Sequence, residues 1–186
     1  ASPEQMAEMA KGRLREKRSE LVKALEGRVK PHHRFLLTEL LCQIDSLEET
    51  IAHFDQEITD YCRPFEDAVA LLDTIPGVAR ATAEAIVAEI GTDMSRFPSA
   101  NHLAAWAGVA PGNHERGGKR FSGKTRKGNK ALGAALNQAA QTAARTKDTY
   151  LAAQYHRLVA RRGKKKAIVA VMHSILVIAY HLIQQH

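Results

Sequence analysis

The most regular pattern in this chain is an apolar seam between residues 37 and 61, where the spacing alternates between three and four residues without a break. Its members are Leu37, Leu40, Ile44, Leu47, Ile51, Phe54, Ile58 and Tyr61. This spacing places every member on one face of an α-helix, and a seam of more than three heptads is typical of a coiled coil or a long helical hairpin. An amphipathic helix that lies on its own domain has the same pattern, so this alternative stays open.

Helical periodicity also covers most of the remaining chain. Before the seam, a stretch over about 3–29 is rich in Ala, Glu, Lys and Leu and predicts a helical piece that ends before Pro31. No segment predicts a strand. We therefore expect an all-α fold, with a long coiled-coil arm over residues 1–66 and a compact helical domain over residues 67–186. The domain's predicted helices cover about 65–73, 81–90, 100–108, 131–145, 149–161 and 166–184, and a loop covers 111–129.

The most apolar run of the chain is AIVAVMHSILVIAYHLI, which begins at Ala167. It has 17 residues, contains two histidines and follows a cluster of lysines. Because a helix that spans a membrane needs about 20 apolar residues, we interpret this run as the buried core helix of the domain and expect no membrane contact.

The charges are distributed unevenly. The chain has 27 Lys and Arg against 20 Asp and Glu, a formal net charge of +7. The stretch between residues 32 and 67 contains nine acidic and two basic residues, so its net charge is −7 and that of the rest of the chain is +14. We expect the arm to repel nucleic acid and the domain to attract it.

The first candidate binding motif is LLDTIPGVARATAEAIVAEIG, from Leu71 to Gly91. An apolar helix, a Pro76-Gly77 turn and an alanine-rich helix follow one another, as in the helix-hairpin-helix element. The hairpin amides and the following helix N-terminus can hold a phosphate, Gly77 allows close approach, and Arg80 adds a charge. A second glycine is common where this chain has Ala79, so a purely structural turn remains the alternative.

The second motif is GVAPGNHERGGKRFSGKTRKGNK, which begins at Gly108. Cations and glycines alternate in it, so that side chains and backbone amides can both reach phosphates without reading a base sequence. A basic loop that is merely solvated is the alternative. A third basic cluster at residues 161–166 is as typical of a plain connection between two helices as of contact with phosphate. The residues that we predict to bind nucleic acid here are Arg116, Gly117, Gly118, Lys119, Arg120, Lys124, Arg126, Lys127 and Lys130.

Enzymatic chemistry has less support in the sequence. Outside the arm no set of carboxylates suggests a two-metal site, and no three-ligand zinc spacing occurs, so we predict no metal or other cofactor in this chain. Ser122 is a candidate nucleophile, although a serine in a glycine-rich loop more often donates a hydrogen bond. Cys42 and Cys62 are expected to be reduced thiols, which fits the bacterial cytoplasm.

Several motifs in order resemble one known family. They read IPGV, TAEAIVAEIG, DMSRFPSANHLAAWAGVAPGNHE, GGKRFSGKTRKGNKAL and ARRGKKKAIVAVMHSILVIAYHLI. Together they resemble the C-terminal domain of the insertion-sequence one-ten, one-one-six and nine-oh-two transposases, which are bridge-RNA-guided serine recombinases. The similarity runs from about Leu71 to Ile183, and the segment before it looks like the family's connecting coiled coil.

The resemblance implies a recombinase that works in two halves. Such proteins carry an N-terminal domain with a four-carboxylate magnesium site, then the coiled coil, then a domain whose serine attacks DNA and becomes covalently linked to it. A guide RNA selects the sites, and the coiled coil joins protomers into a homo-oligomer. This chain opens Ala-Ser-Pro without an initiating Met and contains no metal domain, so we expect it to be cut from something longer.

One departure from the family concerns the catalytic serine. The family motif places it after Glu and before a small residue, and that position here is Arg116, between Glu115 and Gly117. Arginine has no nucleophilic oxygen. We therefore expect a nucleic-acid-binding part of a transposase that is inactive alone. The alternative is a non-catalytic DNA-architectural or adaptor protein that uses a helix-hairpin-helix.

Overall fold

The computed structural model describes residues 2–26, 30–112 and 114–185, except for the side chains of residues 114, 115 and 120–122. The chain divides into two compact units, Ala1–Glu57 and Ile58–His186. Each unit has its own buried residues, and the larger one contains all of the candidate binding residues.

The first unit begins with two short helices. Helix α1 (Pro3–Glu8) starts with a capping box, in which the Ser2 side chain and the Gln5 side chain each bind the other's backbone amide. A 3-10 turn (Gly12–Lys17) and helix α2 (Arg18–Leu25) follow. The prediction of one helical piece over 3–29 is therefore wrong. The helical path is interrupted at residues 9–11, and Gly12, which follows the break, has a φ of +58°, a conformation that glycine adopts without steric cost.

Helix α3 (Pro31–Cys62) covers the whole predicted seam with 32 residues. It contains no buried residue, and the seam side chains are 44% exposed at Ile58 and 77% at Tyr61. Proline is well placed at the start of this helix, because the first helical amide has no acceptor within the helix. The helix itself is confirmed, and the coiled coil remains a prediction.

The second unit is built mainly from helices. After a 3-10 turn (Arg63–Phe65), its described elements are α4 (Glu66–Asp73), α5 (Arg80–Ile90), a 3-10 turn (Met94–Arg96), α6 (Ala100–Trp106), β1 (His114–Arg116), β2 (Lys119–Ser122), α7 (Lys130–Ala143), α8 (Tyr150–Arg162) and α9 (Lys164–Gln184). The all-α class is confirmed. The absence of any strand was predicted wrongly, because the basic loop contains a two-stranded hairpin too short to show an alternating pattern.

Helix α9 forms the centre of this unit and packs against α4, α6, α7 and α8. Its residues Val171, Ile175, Leu176 and Ala179 are completely buried. Burial of each large aliphatic side chain contributes about 1.5–3 kcal/mol. The helix is long and apolar enough to cross a membrane by composition. Its packing in the domain confirms the predicted core helix.

Candidate nucleic-acid interface

The turn between α4 and α5 is held against helix α7. Gly77 has a φ of +89°, and a Cβ atom there would lie 2.5 Å from both the Ala139 carbonyl oxygen and the Ala143 nitrogen. Only glycine permits this approach. The structure thus gives Gly77 a packing role in the fold, while its predicted contact with phosphate stays a prediction.

Helix α5 begins just after this turn without a side-chain cap. The amides of Thr82 and Ala83 both donate to the Ala79 carbonyl oxygen, at 2.8 and 2.9 Å. In the described part of the chain, the amides of Arg80 and Ala81 have no acceptor. This end of the helix therefore keeps the unpaired donors that an anion can use.

The guanidinium of Arg80 is already paired with two carboxylates. It donates to both oxygens of Glu66, at 2.6 and 2.7 Å, and its Nε lies 2.8 Å from Glu84. The hydrogen bond from Arg80 is the main cause that lowers the pKa of Glu66. One cation between two anions leaves a local charge of about −1, which disfavours phosphate. The structure therefore gives Arg80 a position in an ion-pair cluster, and its predicted phosphate contact remains untested.

The basic loop is held by close contacts between its two legs, residues 108–112 and 123–129. A Cβ atom on Gly108 would lie 2.7 Å from the Gly128 nitrogen, and one on Gly112 would lie 2.2 Å from the Lys124 carbonyl oxygen. Side chains at these positions would push the legs apart. Gly108 and Gly112 thus fix the base of the loop.

The tip of the loop is a β-hairpin. Gly117 and Gly118 have φ values of +59° and +72°, as the central residues of a type I′ turn require. Arg116 pairs with Lys119 across this turn, and the pairing shifts by one residue between Glu115 and His114. Arg116, Gly117, Gly118 and Lys119 are all exposed. The hairpin therefore holds two cations on opposite strands of an open tip.

Four more exposed cations lie along the second leg and at the first residue of helix α7. They are Lys124, Arg126, Lys127 and Lys130. Asn129 fixes the end of the leg, because its Oδ1 caps the Leu132 amide at 3.1 Å and its side-chain amide donates to Glu89 of α5. The predicted cations of this segment are thus brought together on one anchored stretch of chain.

Two predicted residues of the loop are only partly described. The backbones of Arg120 and Ser122 belong to β2, where Ser122 pairs with His114 and Arg120 with Glu115. Their side chains lie outside the described ones. The roles predicted for Arg120 in binding and for Ser122 in catalysis therefore stay predictions.

A cleft that sequence analysis did not identify lies beside the second leg. It is lined by the loop, α8 and α9, and includes Gln154, Arg162, His173 and Ser174. Burial lowers the pKa of His173 below its usual 6.5. The sequence contains one signal for this cleft, because Gln154, Leu158 and Arg162 are spaced by four residues and therefore share one face of a helix. In the described residues, no three His, Cys, Asp or Glu side chains are grouped so that they could hold a metal ion.

Comparison with known proteins gives the class. Residues 69–157 match the model of the Transposase IS116/IS110/IS902 family. The matched segment, residues 69–157, is a transposase domain of this family.

Several proteins are similar to the chain in sequence. The pilin gene-inverting proteins of Moraxella bovis and Moraxella lacunata are each 32% identical to it over 154 residues, which cover 75% of this chain and 47% of the relative. A protein of Pseudomonas aeruginosa named "Probable family 20 transposase" is 30% identical over 92 residues, 50% of this chain and 27% of that protein. The chain thus spans about half the length of the pilin gene-inverting proteins.

Proposed function

We propose that this chain binds DNA as the C-terminal part of an insertion-sequence transposase, with residues 116–130 of the basic loop holding the phosphate backbone. The observation that supports this role is the arrangement of six exposed cations on a hairpin and on the segment that joins it to α7, where glycine contacts hold the loop in place. A preformed loop loses little conformational entropy on binding. Contacts to phosphates position a duplex and carry little sequence information.

The salt dependence of binding tests this proposal. The affinity of the chain for a blunt DNA duplex is measured between low and physiological salt for wild type and for Arg126→Ala plus Lys127→Ala. Each phosphate contact that is lost should reduce the slope of log affinity against log salt by about 0.9. The matched control, Arg145→Ala plus Lys147→Ala, removes the same charge from exposed positions between α7 and α8. Equal slopes for the loop variant and wild type would place the binding surface elsewhere.

The exposed seam of α3 supports self-association. Apolar side chains along 37–61 keep about half of their surface exposed in the single chain, and a second copy that packs on them in a coiled coil would bury it. In the complete protein, a guide RNA is a further proposed partner, since its phosphates present the same charges to the basic loop. The site of action is then the bacterial cytoplasm, where the DNA lies.

Arg116 favours a second candidate function, a DNA-architectural or adaptor protein that binds without cutting. The family resemblance places a nucleophilic serine at this position, and a guanidinium cannot attack phosphorus. A covalent protein–DNA adduct separates the two functions, because an adaptor never forms one.

A further inference from the structure

The α8–α9 cleft, defined by the faces of α8 and α9 and by the second leg of the basic loop, has a volume of about 1140 Å³. Its walls are largely aliphatic, with Val109 and Leu158 facing the α9 residues Val169 and Ala170. Clefts of this size with apolar walls and few polar groups are typical of sites for organic ligands.

The cations that line the cleft are Lys124 of the loop and a group of three at the junction of α8 and α9, which marks one end of the cleft. Helices α8 and α9 are joined by Gly163 alone, so Arg162 at the end of α8 and Lys165 and Lys166 at the start of α9 lie together at the rim. The amides of the first turn of α9 have no side-chain cap, which adds the positive end of the helix dipole. This end of the cleft is suited to a phosphate.

The other end carries a polar group without a partner. The Gln154 side-chain amide donates to the Ser174 hydroxyl oxygen at 2.9 Å, while its Oε1 is buried and accepts no hydrogen bond from the described residues. Gln154 precedes Arg162 by eight residues, about 12 Å along the helix. A buried acceptor without a donor is unfavourable unless a ligand or water supplies one.

We propose that the α8–α9 cleft holds one unpaired nucleotide of a nucleic-acid strand, with its phosphate against Arg162, Lys165 and Lys166. The base lies between Leu158 and Val169, and an amino or hydroxyl group of the nucleotide donates to Gln154 Oε1. This inference rests on the proposed function, since the strand is the one that the basic loop holds beside the cleft. It adds a site that distinguishes unpaired from paired segments.

The chemistry of the cleft favours a nucleotide over other anions. A nucleotide combines a charged phosphate with a flat ring whose faces are apolar and whose edge carries donors, and the cleft offers a partner for each. An acidic peptide could donate to Gln154 from a backbone amide, but its Asp and Glu side chains offer no flat ring to fill the space between the apolar walls. A paired base has its donors engaged with its complement, so the occupant is unpaired.

The test compares a blunt DNA duplex with the same duplex that carries a short single-stranded tail of mixed sequence. For wild type we expect tighter binding of the tailed form. The variant Gln154→Leu keeps the charge and the approximate volume but removes the acceptor, and should reduce the advantage of the tail about fivefold. Its melting temperature should stay about equal, because the loss of a buried unpaired acceptor offsets the loss of the hydrogen bond to Ser174. The matched control is Gln141→Leu, at an exposed position of α7.

The outcomes separate this inference from the proposed function. If Gln154→Leu keeps the full advantage of the tail, the cleft does not hold a nucleotide, although loop binding stands. If wild type binds both duplexes equally, the inference also fails. If polyglutamate displaces the tail as effectively as a free oligonucleotide does, the rim is a general anion site, and this result would overturn the inference. If Arg126→Ala plus Lys127→Ala leaves the salt slope of duplex binding unchanged, this result concerns the proposed function of the basic loop alone.

Discussion

The backbone of Gly77 lies against that of Ala143, so close that a Cβ atom on the glycine would be 2.5 Å from the alanine nitrogen. Gly77→Ala should therefore destabilise the domain by about 2–4 kcal/mol, through a clash with helix α7 and a φ of +89° that L-residues avoid. Chemical denaturation followed by circular dichroism measures this loss.

The hairpin tip supplies the control for this change. Gly117 also has a positive φ, at +59°, but nothing lies within 4 Å of a Cβ atom added there. Gly117→Asn should cost only a few tenths of a kcal/mol, because asparagine tolerates this conformation. If both variants lose the same small amount of stability, the turn does not depend on its packing against α7.

A second prediction concerns Arg80 and its acidic partners. Because Glu66 and Glu84 already bind the guanidinium, Arg80→Ala should leave the salt slope of DNA binding unchanged, while Glu66→Gln removes an anion and should raise affinity slightly. Titrations of a labelled duplex at several salt concentrations measure both. A slope reduced by about 0.9 in Arg80→Ala would show a phosphate contact and restore the role predicted from the sequence.

The helices could be predicted because their patterns are local. The 3.6-residue period located α4 through α9 within two residues and placed the seam inside α3, and the charge pattern located the basic loop. The packing of Gly77 on α7 and the pairing of Arg80 with Glu66 could not be predicted in this way, since both join residues that are distant in sequence. The hairpin was missed because its strands have only three and four residues.

A third prediction is that the chain self-associates through the α3 seam. Ile44→Glu plus Ile51→Glu would place like charges at the contact and should shift the sedimentation mass from dimer to monomer. The control variant Ser46→Glu plus His53→Glu adds the same two acidic groups, each two residues after a seam position. These positions lie on another face of the helix, so the dimer should stay intact. A monomeric wild type at micromolar concentration would contradict the prediction, and the seam would then serve another contact.

The pH dependence of stability is expected to report on His173. Burial lowers the pKa of this side chain from 6.5, so below pH 6.5 the unfolded chain binds a proton that the folded chain resists, and stability falls as the pH drops. Glu66 acts in a lower range, because its pKa is lowered from 4.5 and its contribution is lost only below that value. His173→Gln should therefore reduce the loss of melting temperature between pH 7.5 and pH 5. His156, an exposed residue of α8, provides the matched His156→Gln control.

The last prediction is that this chain binds DNA without attacking it covalently. A serine that loses its proton can attack phosphorus, whereas the guanidinium of Arg116 is a cation that offers no lone pair. Its exposed position at the hairpin tip, next to two glycines with open space around them, suits contact with a phosphate. Arg116→Ser should therefore weaken duplex binding modestly, because one cation is lost.

Denaturing gel electrophoresis of the chain with labelled junction DNA measures covalent attachment. Wild type should give no shifted, protease-sensitive band, and Arg116→Ser alone should give none either, because the resemblance assigns activation of the serine to a longer protein with a metal domain and a guide RNA. A band from wild type that disappears in Ser122→Ala would contradict the prediction. The nucleophile would then be Ser122 on strand β2, six residues after the position that the family motif indicates, and the chain would be catalytic in its own right.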